Sequence, residues 1–482
     1  MWSTEQLMSL DIQAAGAVIT DLWSAEIEPE LHDYIAIPAL SPAFDDEWAA
    51  NGHLATAVEH IRAWMAARPI EGMTVEVHEL DGRTPVILAE IPAHGVDAAA
   101  APTVLLYGHL DKQPEMEGWR ADLGPWTPVR EGDRLYGRGG ADDGYAAYAS
   151  LAAIEAVRRS GGAHGRCLVL IEASEESGSP DLPAHVDALR SRLGDVDLIV
   201  CLDSGCGDYS TMWVTTSLRG LVGGTLSIEI LTEGVHSGSA SGVVPSSFRI
   251  MRLLLDRIED AATGAVLVSS ANVEIPDHRR GEVEAMVSAL GAGRAAEFPM
   301  VAGSEPAILD AVEAELARTW KPTVSYTGID GLPSTAMAGN VLRPGTAVKL
   351  SLRLPPTAEP DQVRDELTAV LEADPPYGAT VTFDGNEVGP GWNAPELAPW
   401  LRTALDAAST EAFGAPAQLM GEGGSIPFMG MLGAEFPEAQ FVITGVLGPG
   451  SNAHGPNEFL DVAYAEKLTR AIAVVLDHHG RR

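Results

Sequence analysis

Short, apolar, β-rich runs alternate with helical patterns through the first 215 residues, and this alternation constrains the fold more than any other feature. The strand-like runs include "TVLLYG" (103–108), "RCLVLIEA" (166–173) and "DLIVCLDSG" (197–205). A helical stretch from about 143 to 159 begins with acidic residues, ends with basic ones and is followed by glycine, as the helix dipole and C-cap preferences favour. The pattern predicts an α/β fold, with helices packed on the faces of a βαβ sheet.

A different pattern occupies the middle of the chain. The strand-like "GLVGGTLSIEILTEG" precedes the helical "PSSFRIMRLLLDRIED", and "TAVKLSLRLPP" and "GATVTFDG" flank the helical "AEPDQVRDELTAVLEAD". Two such β-α units indicate a compact α+β domain, after which a helix at about 396–413 and the run "AQFVITGVLG" restore the earlier style. A chain of 482 residues is also too long for one ordinary core. We therefore expect a discontinuous domain of residues 1–215 and 390–482, interrupted by an inserted lid of residues 216–389.

Residues that can bind a metal ion follow four of the strand-like runs. Ligands of open α/β sheets bind beyond the carboxyl ends of the strands, so the fold would bring these residues to one crevice. A further acid lies where the Gly-rich "GRGGADDG" meets a helix start. The candidates are His109 and Asp111, Glu175 and Glu176 in "EASEESGS", Asp203, His454, and Asp142 at the helix start.

Taken singly, each candidate has a simpler explanation. A lone histidine is usually a core or surface residue, an aspartate at a helix start is usually an N-cap, and a glutamate pair is usually solvated. The segment "EASEESGS", however, contains three carboxylates, Glu172, Glu175 and Glu176. They repel one another unless water screens them or cations lie between them. Imidazole with carboxylate and no thiolate favours Zn²⁺, with Mn²⁺ or Co²⁺ as alternatives, and disfavours Ca²⁺. We therefore expect two divalent metal ions and a hydrolytic reaction.

Composition argues against several other functions. A net charge of −37 disfavours nucleic acid as a partner, because phosphate binding needs a concentrated basic surface. No apolar window of membrane length and no signal-peptide pattern is visible, so we expect a cytoplasmic protein with no membrane partner. Three cysteines are too few for a disulfide framework and are expected to be buried thiols. The "GRGGAD" run lacks the residues that complete a nucleotide-binding loop.

The joint motif set resembles a known family. In order, the motifs are "YGHLDKQP", "GRGGADDG", "EASEESGS", "LDSG", "LRG…VHSG", "GEGGSIP" and "SNAHGPNE". They resemble the di-zinc peptidases that include carnosinase, cytosolic non-specific dipeptidase, glutamate carboxypeptidase and aminoacylase, from about residue 25 to the end. The dipeptidase and carnosinase branch is the most similar. The resemblance implies a phosphorylase/hydrolase-like catalytic domain with a mixed sheet and helices on both faces, a ferredoxin-like lid, and a homodimer formed through that lid.

The resemblance also implies a division of roles among the metal-binding candidates. One ion would be held by His109, Asp142 and Asp203, and the other by Asp142, Glu176 and His454. Asp142 would thus bridge the two. Glu175 would be the general base that takes a proton from the attacking water and returns it to the leaving amine. Asp111 would hydrogen-bond the imidazole of His109 and fix its tautomer.

Substrate-binding residues are implied in the lid and in the "GEGGSIP" segment. His236 would stabilise the tetrahedral oxyanion, often across a dimer interface, with Asn340 nearby, and Arg353 would clamp the substrate carboxylate. Gly424 and Ser425 offer donors for the same carboxylate near a helix start. Without the resemblance, Arg353 could equally be a surface charge on a strand, and Asn340 a turn residue.

One feature departs from the family pattern, in which lysine usually follows the second acid. Here Gly144 and Tyr145 follow Asp142 and Asp143, and Lys112 could compensate for the missing charge. The sequence still predicts a metallopeptidase that cleaves a dipeptide or short peptide with a free C-terminal carboxylate. An N-acyl-amino-acid amidohydrolase, or a pathway-specific peptidase of the same chemistry, is the alternative. A non-catalytic binding relative is disfavoured, because the base and all the metal ligands are present.

Overall fold

The computed structural model describes residues 10–291, 298–424 and 427–482. Its helices are α1 (Ile12–Leu22), α2 (Glu28–Ile35), α3 (Trp48–Asn51), α4 (His53–Ala66), α5 (Tyr145–Arg159), α6 (Leu182–Leu193), α7 (Ser237–Ala240), α8 (Ser247–Leu255), α9 (Asp277–Leu290), α10 (Ala311–Thr319), α11 (Pro360–Glu372), α12 (Pro399–Phe413), α13 (Pro427–Glu435) and α14 (Val462–Gly480). Its strands are β1 (Thr74–His78), β2 (Val86–Ile91), β3 (Thr103–His109), β4 (Val129–Glu131), β5 (Arg134–Tyr136), β6 (Arg166–Glu172), β7 (Leu198–Cys201), β8 (Trp213–Leu218), β9 (Gly220–Glu229), β10 (Val235–His236), β11 (Glu259–Asp260), β12 (Ala265–Val266), β13 (Thr323–Asp330), β14 (Val341–Leu342), β15 (Gly345–Leu354), β16 (Thr380–Phe383), β17 (Glu387–Gly389), β18 (Trp392–Asn393), β19 (Gln418–Glu422), β20 (Gln440–Ile443) and β21 (Phe459–Asp461).

The chain divides into two compact units. The first contains the residues up to Thr215 together with Ala394–Met420 and Met431–Arg482, and the second contains Thr216–Asn393 and Gly421–Gly430. The second unit therefore extends four residues past the expected end at 389. It also includes Gly421–Gly430, which the sequence assigned to the other domain. Pairing explains both differences, since β18 pairs with the end of β8 and the backbone N–H of Arg219 donates to the carbonyl of Gly424 at 3.1 Å.

The first unit is built on a mixed sheet, which confirms the α/β fold. Its strands follow the order β1-β2-β6-β3-β7-β20-β8. The four central strands, β6, β3, β7 and β20, run parallel, whereas β1, β2 and β8 pair antiparallel with their neighbours. Every residue of β3 and β6 after the first is buried, as expected of parallel strands that are covered on both faces. The buried helix α5 contacts both of these strands.

The second unit contains an antiparallel sheet of order β13-β15-β9-β16, with β17 also paired to β9. Burial alternates residue by residue along β15, so one face of the sheet is apolar. Helices α8 and α11 supply the apolar side chains that complete this core, through Ile250, Met251 and Leu254 and through Val363, Leu367 and Leu371. At the edge, β13 pairs only with β15 among the described strands, and six of its eight residues are exposed.

Two expectations from composition concern the whole described chain. The three cysteines, Cys167, Cys201 and Cys206, are buried and free, which confirms the prediction of buried thiols. No helix among the described residues combines the length and the apolar character needed to cross a bilayer.

Candidate active site

The carboxyl ends of four parallel strands deliver the candidate ligands to one edge of the first unit's sheet. His109 is the last residue of β3, Glu175 and Glu176 begin the turn after β6, and Asp203 lies two residues beyond β7. His454 is on the loop that follows β20, and Asp142 is in the turn that precedes α5. Since β6, β3, β7 and β20 are neighbours in the sheet, their ends converge on one place.

Asp142 lies between the two histidines. Its Oδ1 is 3.3 Å from His109 Nε2, and its Oδ2 is 3.0 Å from His454 Nε2. Asp142 is 6 % exposed in its side chain and His109 is fully buried, whereas the imidazole of His454 is 53 % exposed. Each carboxylate oxygen therefore faces a different imidazole.

The described side chains include two groups whose ligand atoms are close enough to hold a metal ion, His109 with Asp142 and Glu176, and His109 with Glu175 and Asp203. His109 Nε2 is 3.8 Å from Asp203 Oδ2, and His454 Nε2 is 3.3 Å from Glu176 Oε2. In a tetrahedral zinc site with bonds of about 2.0–2.1 Å, neighbouring ligand atoms are about 3.3 Å apart. The ligand atoms of His109, Glu175 and Asp203 lie within 4.8 Å of one another, so Glu175 is within reach of an ion at His109 and Asp203.

Asp111 contacts both His109 and the backbone of the glutamate pair. Its carboxylate Oδ1 is 3.6 Å from His109 Nδ1, and that nitrogen instead lies 3.1 Å from the backbone carbonyl of Asp111. The two carboxylate oxygens accept the backbone N–H groups of Glu175 and Glu176, each at 3.0 Å. Asp111 therefore fixes the tautomer of His109 through its carbonyl, since a carbonyl can only accept, and its side chain positions the glutamate pair.

Like charges crowd this site. Burial raises the pKa of Glu175 well above its usual range, and the carboxylate of Asp203 raises it further. Burial likewise raises the pKa of Asp203 to about 6. Burial alone would lower the pKa of His454, but the hydrogen bond with Asp142 raises it to about 9. Buried carboxylates outnumber imidazoles here, and bound divalent cations would neutralise the excess negative charge.

Glu172 is a buried structural residue. It accepts hydrogen bonds from the hydroxyl of Tyr107 and, at 2.8 Å, from that of Ser179. Burial raises its pKa to about 7, against the opposing effect of the Tyr107 hydrogen bond. Glu172 therefore lies inside the protein, held by two hydroxyl groups, and is not a solvated carboxylate.

Packing accounts for the departure at Gly144 and Tyr145. A Cβ on Gly144 would overlap the ring of Tyr34, so a lysine does not fit there. Tyr145 is buried and donates its phenol to the carbonyl of Leu202, at 2.5 Å, beside Asp203. Lys112 does not supply the missing charge at the surface of the site, because it is fully buried and donates to the carbonyls of Tyr34 and Ile37, both at 2.8 Å.

The second unit holds the lid residues implied by the resemblance. His236 and Asn340 are exposed neighbours, since β10 pairs with β14 and the N–H of Ser237 donates to the carbonyl of Asn340 at 2.9 Å. Arg353 is half-buried on β15, opposite Thr323 and Leu221. Gly424 is exposed just before α13, and Ser425 lies outside the described residues.

Arg219 was not singled out from the sequence, although it lies in the quoted "LRG" motif. It is buried, and it donates to the hydroxyl of Thr323 at 3.0 Å and to the carbonyl of Gly423 at 3.1 Å. Burial lowers its pKa to about 10, and the charges of Arg353 and Arg318 lower it further. The charges of two other arginines of the second unit therefore reach the buried Arg219 guanidinium.

Comparison with known proteins identifies the family. The profile of Peptidase family M20/M25/M40 matches residues 105–478, which include every candidate ligand. The chain belongs to this family. It is a metallopeptidase-type hydrolase, as the motifs and the site geometry predict.

Named relatives align with most of the chain. The cysteinylglycine-S-conjugate dipeptidase of Corynebacterium striatum is 27 % identical over 435 residues, 88 % of this chain and 90 % of the relative. The Beta-Ala-His dipeptidase of Mus musculus is 28 % identical over 299 residues, 60 % of this chain and 58 % of the relative. A solved di-peptidase of Saccharomyces cerevisiae superposes with a TM-score of 0.76 at 21 % identity, over 98 % of this chain and all of that one, which shows the same fold.

Proposed function

We propose that this M20 family member is a two-metal dipeptidase that hydrolyses the amide bond of a short peptide with a free C-terminal carboxylate. The observation that carries the proposal is the placement of Asp142, whose two carboxylate oxygens lie 3.3 Å and 3.0 Å from two different imidazoles. Folding stability does not explain this arrangement, because burying several charged groups together costs free energy.

The residues present fit two zinc ions. His109, Asp142 and Asp203 would hold one, and Asp142, Glu176 and His454 the other. When bound, the ions lower the pKa of a coordinated water to about 7 and polarise the amide carbonyl. Mn²⁺ and Co²⁺ suit the same donor set.

Glu175 is the general base in this proposal. Its carboxylate lies within 4.8 Å of the ligand atoms of His109 and Asp203, close enough to reach a water held between them. It takes a proton from the attacking water and delivers it to the leaving amine. Asp111 holds the backbone of Glu175 and Glu176 through two 3.0 Å hydrogen bonds and so keeps their side chains in place.

The second unit supplies the groups that recognise substrate. Arg353 binds the C-terminal carboxylate, with Arg219 adding positive charge and the Gly424 N–H adding a donor. His236, beside Asn340, stabilises the oxyanion. The antiparallel sheet, with α8 and α11 against one face, is the inserted ferredoxin-like lid.

The homodimer forms through this lid. Strand β13 presents an exposed edge with Tyr326 and Ile329 at 43 % and 50 % exposure. An exposed edge strand is a template for pairing with a second copy. Analytical ultracentrifugation tests this, with a dimer expected for the wild type and a monomer for Ile329→Pro, because proline cannot donate to an added strand.

The substrate is a dipeptide, as the names of the two curated relatives indicate for those proteins. The test is to strip the protein with a chelator, restore Zn²⁺, Mn²⁺ or Co²⁺ in turn, and assay cysteinylglycine, β-alanyl-histidine and N-acetyl amino acids for released amine. Metal-dependent cleavage of dipeptides supports the proposal. Cleavage of the N-acetyl amino acids alone would replace it with the amidohydrolase alternative.

A further inference from the structure

A buried ion pair outside the ligand set connects the loops that carry the ligands. Arg138, in "GRGG", and Glu458, in "PNE", form a salt bridge, and their side chains are 1 % and 0 % exposed. Neither residue belongs to the proposed ligand set. Burying such a pair costs desolvation free energy, so its presence alone does not show that it stabilises the fold. Its role has to be inferred from the other groups that it contacts.

Arg138 binds two further segments. Its second terminal nitrogen donates to the carbonyl of Gly455, at 2.9 Å, which is the residue directly after His454. Its Nε donates to the carbonyl of Pro114 at 3.3 Å, and the neighbouring Gln113 donates to Glu176 at 2.7 Å. One guanidinium therefore joins the loop of His454 to the loop that supports Glu176.

Glu458 connects the same loop to the Asp142 turn. Its free carboxylate oxygen accepts the N–H of Gly139 at 2.9 Å, three residues before Asp142. Its backbone carbonyl accepts the N–H of Gly137 at 3.0 Å. The pair thus ties together the segments that carry Asp142, Glu176 and His454, the three ligands proposed for the second metal position.

The two histidines depend on this pair to different degrees. His109 is the final residue of the buried strand β3, which the sheet holds on both sides. His454 is on an exposed loop with a left-handed backbone (φ 63°), which is uncommon for a residue other than glycine. Its position is therefore set by contacts of the loop rather than by a strand.

We propose that Arg138 and Glu458 are positioning residues that set the metal affinity of the position formed by Asp142, Glu176 and His454 more strongly than that of the position formed by His109, Asp142 and Asp203, which shares only Asp142 with it. The inference rests on the proposed two-metal function. Residues that orient metal ligands typically change metal affinity about 10- to 100-fold when they are replaced.

The test uses the full chain, stripped of metal and titrated with Zn²⁺ against a competing chelator. The decisive variant is Glu458→Gln, which keeps an acceptor for the Gly139 N–H and removes the charge. The double variant Arg138→Met/Glu458→Leu removes both charges, so that no unpaired charge stays buried. Arg68→Met is the control, since the side chain of Arg68 is 9 % exposed and pairs with Glu26 and Glu155, neither of which is a candidate ligand.

We expect two zinc ions per wild-type chain, and in both test variants a loss of about 10- to 100-fold in affinity for one ion and less than about 3-fold for the other. The control is expected to match the wild type, and circular dichroism of the metal-free proteins checks that each variant is folded. Two ions bound with unchanged affinity by folded Glu458→Gln would overturn the inference. A wild type that binds no zinc would instead overturn the proposed function itself.

Discussion

The two units each concentrate charge of one sign, but they do so in different ways. In the first unit, carboxylates surround two imidazoles with ligand-like spacings of 3.0–3.8 Å. In the second, the charges of Arg353 and Arg318 lower the pKa of the buried Arg219, and Arg318 is 3.2 Å from Glu315. The acidic group contains ligand atoms close enough together to hold a metal ion, whereas the basic group defines only a region of positive charge. Substitution of a single residue should therefore change metal content and activity more in the first unit than in the second.

The largest effect is expected for Asp142→Ala. Because each oxygen of Asp142 faces a different histidine, its removal disrupts both metal positions. We expect fewer than one ion per chain by elemental analysis and activity at background. Retention of one tightly bound ion would show that Asp142 serves a single position.

Glu175→Gln should separate the base from the ligands. Loss of general base catalysis lowers kcat by about 10²–10⁴-fold, while both ions stay bound. Parallel measurements of kcat and of ions per chain decide the role, with His454→Ala as the contrasting variant that loses an ion. If Glu175→Gln loses an ion as readily as His454→Ala does, Glu175 is a ligand and not the base.

In the second unit, Arg353→Met should lower kcat/KM on a dipeptide by about 10- to 150-fold, the value of roughly 1.5–3 kcal/mol for a hydrogen bond to a charged group. Arg318→Met is the control, because Arg318 also lowers the pKa of Arg219 but is not a proposed substrate-binding residue, and it should change kcat/KM by less than about 3-fold. Metal content should be unchanged in both. Equal losses for the two variants would mean that the total positive charge matters and not a specific clamp.

The smallest signal is expected from a mixing experiment. If His236 completes the site of the partner subunit, inactive His236→Ala and inactive Glu175→Gln regain one working site in each mixed dimer. Random exchange makes half of the dimers mixed, so activity should return to about a quarter of the wild-type value. No recovery after verified subunit exchange would place His236 in the site of its own chain.

The same difference between the units explains how far the sequence could predict them. Strands β3, β6 and β7 follow from apolar runs that tertiary packing reinforces, and their ends place His109, Glu175, Glu176 and Asp203 without further information. The exposed edge strand β13 has no such run and was not predicted. The basic group combines Arg219 with residues more than 90 positions away, so only the resemblance pointed to Arg353 and nothing pointed to Arg219 as its neighbour.

Two details of the site depend on partners that are distant in sequence. Asp111 was expected to contact His109, whose Nδ1 lies 3.6 Å from Asp111 Oδ1, and the Asp111 carboxylate also accepts the backbone N–H groups of residues 64 and 65 positions away. Lys112 seemed to be a charge near the site, but its ammonium lies inside the protein among carbonyls at the end of α2. The spacing of residues in the sequence does not predict the hydrogen-bond partners of Asp111 or of Lys112.

The most direct test of the two-metal centre is anomalous diffraction at the zinc edge from crystals of the wild-type protein grown with Zn²⁺. The account predicts two peaks, one between His109, Asp142 and Asp203 and the other between Asp142, Glu176 and His454, each about 2.0–2.2 Å from one oxygen of Asp142. A single peak, or peaks that do not share Asp142, would contradict it.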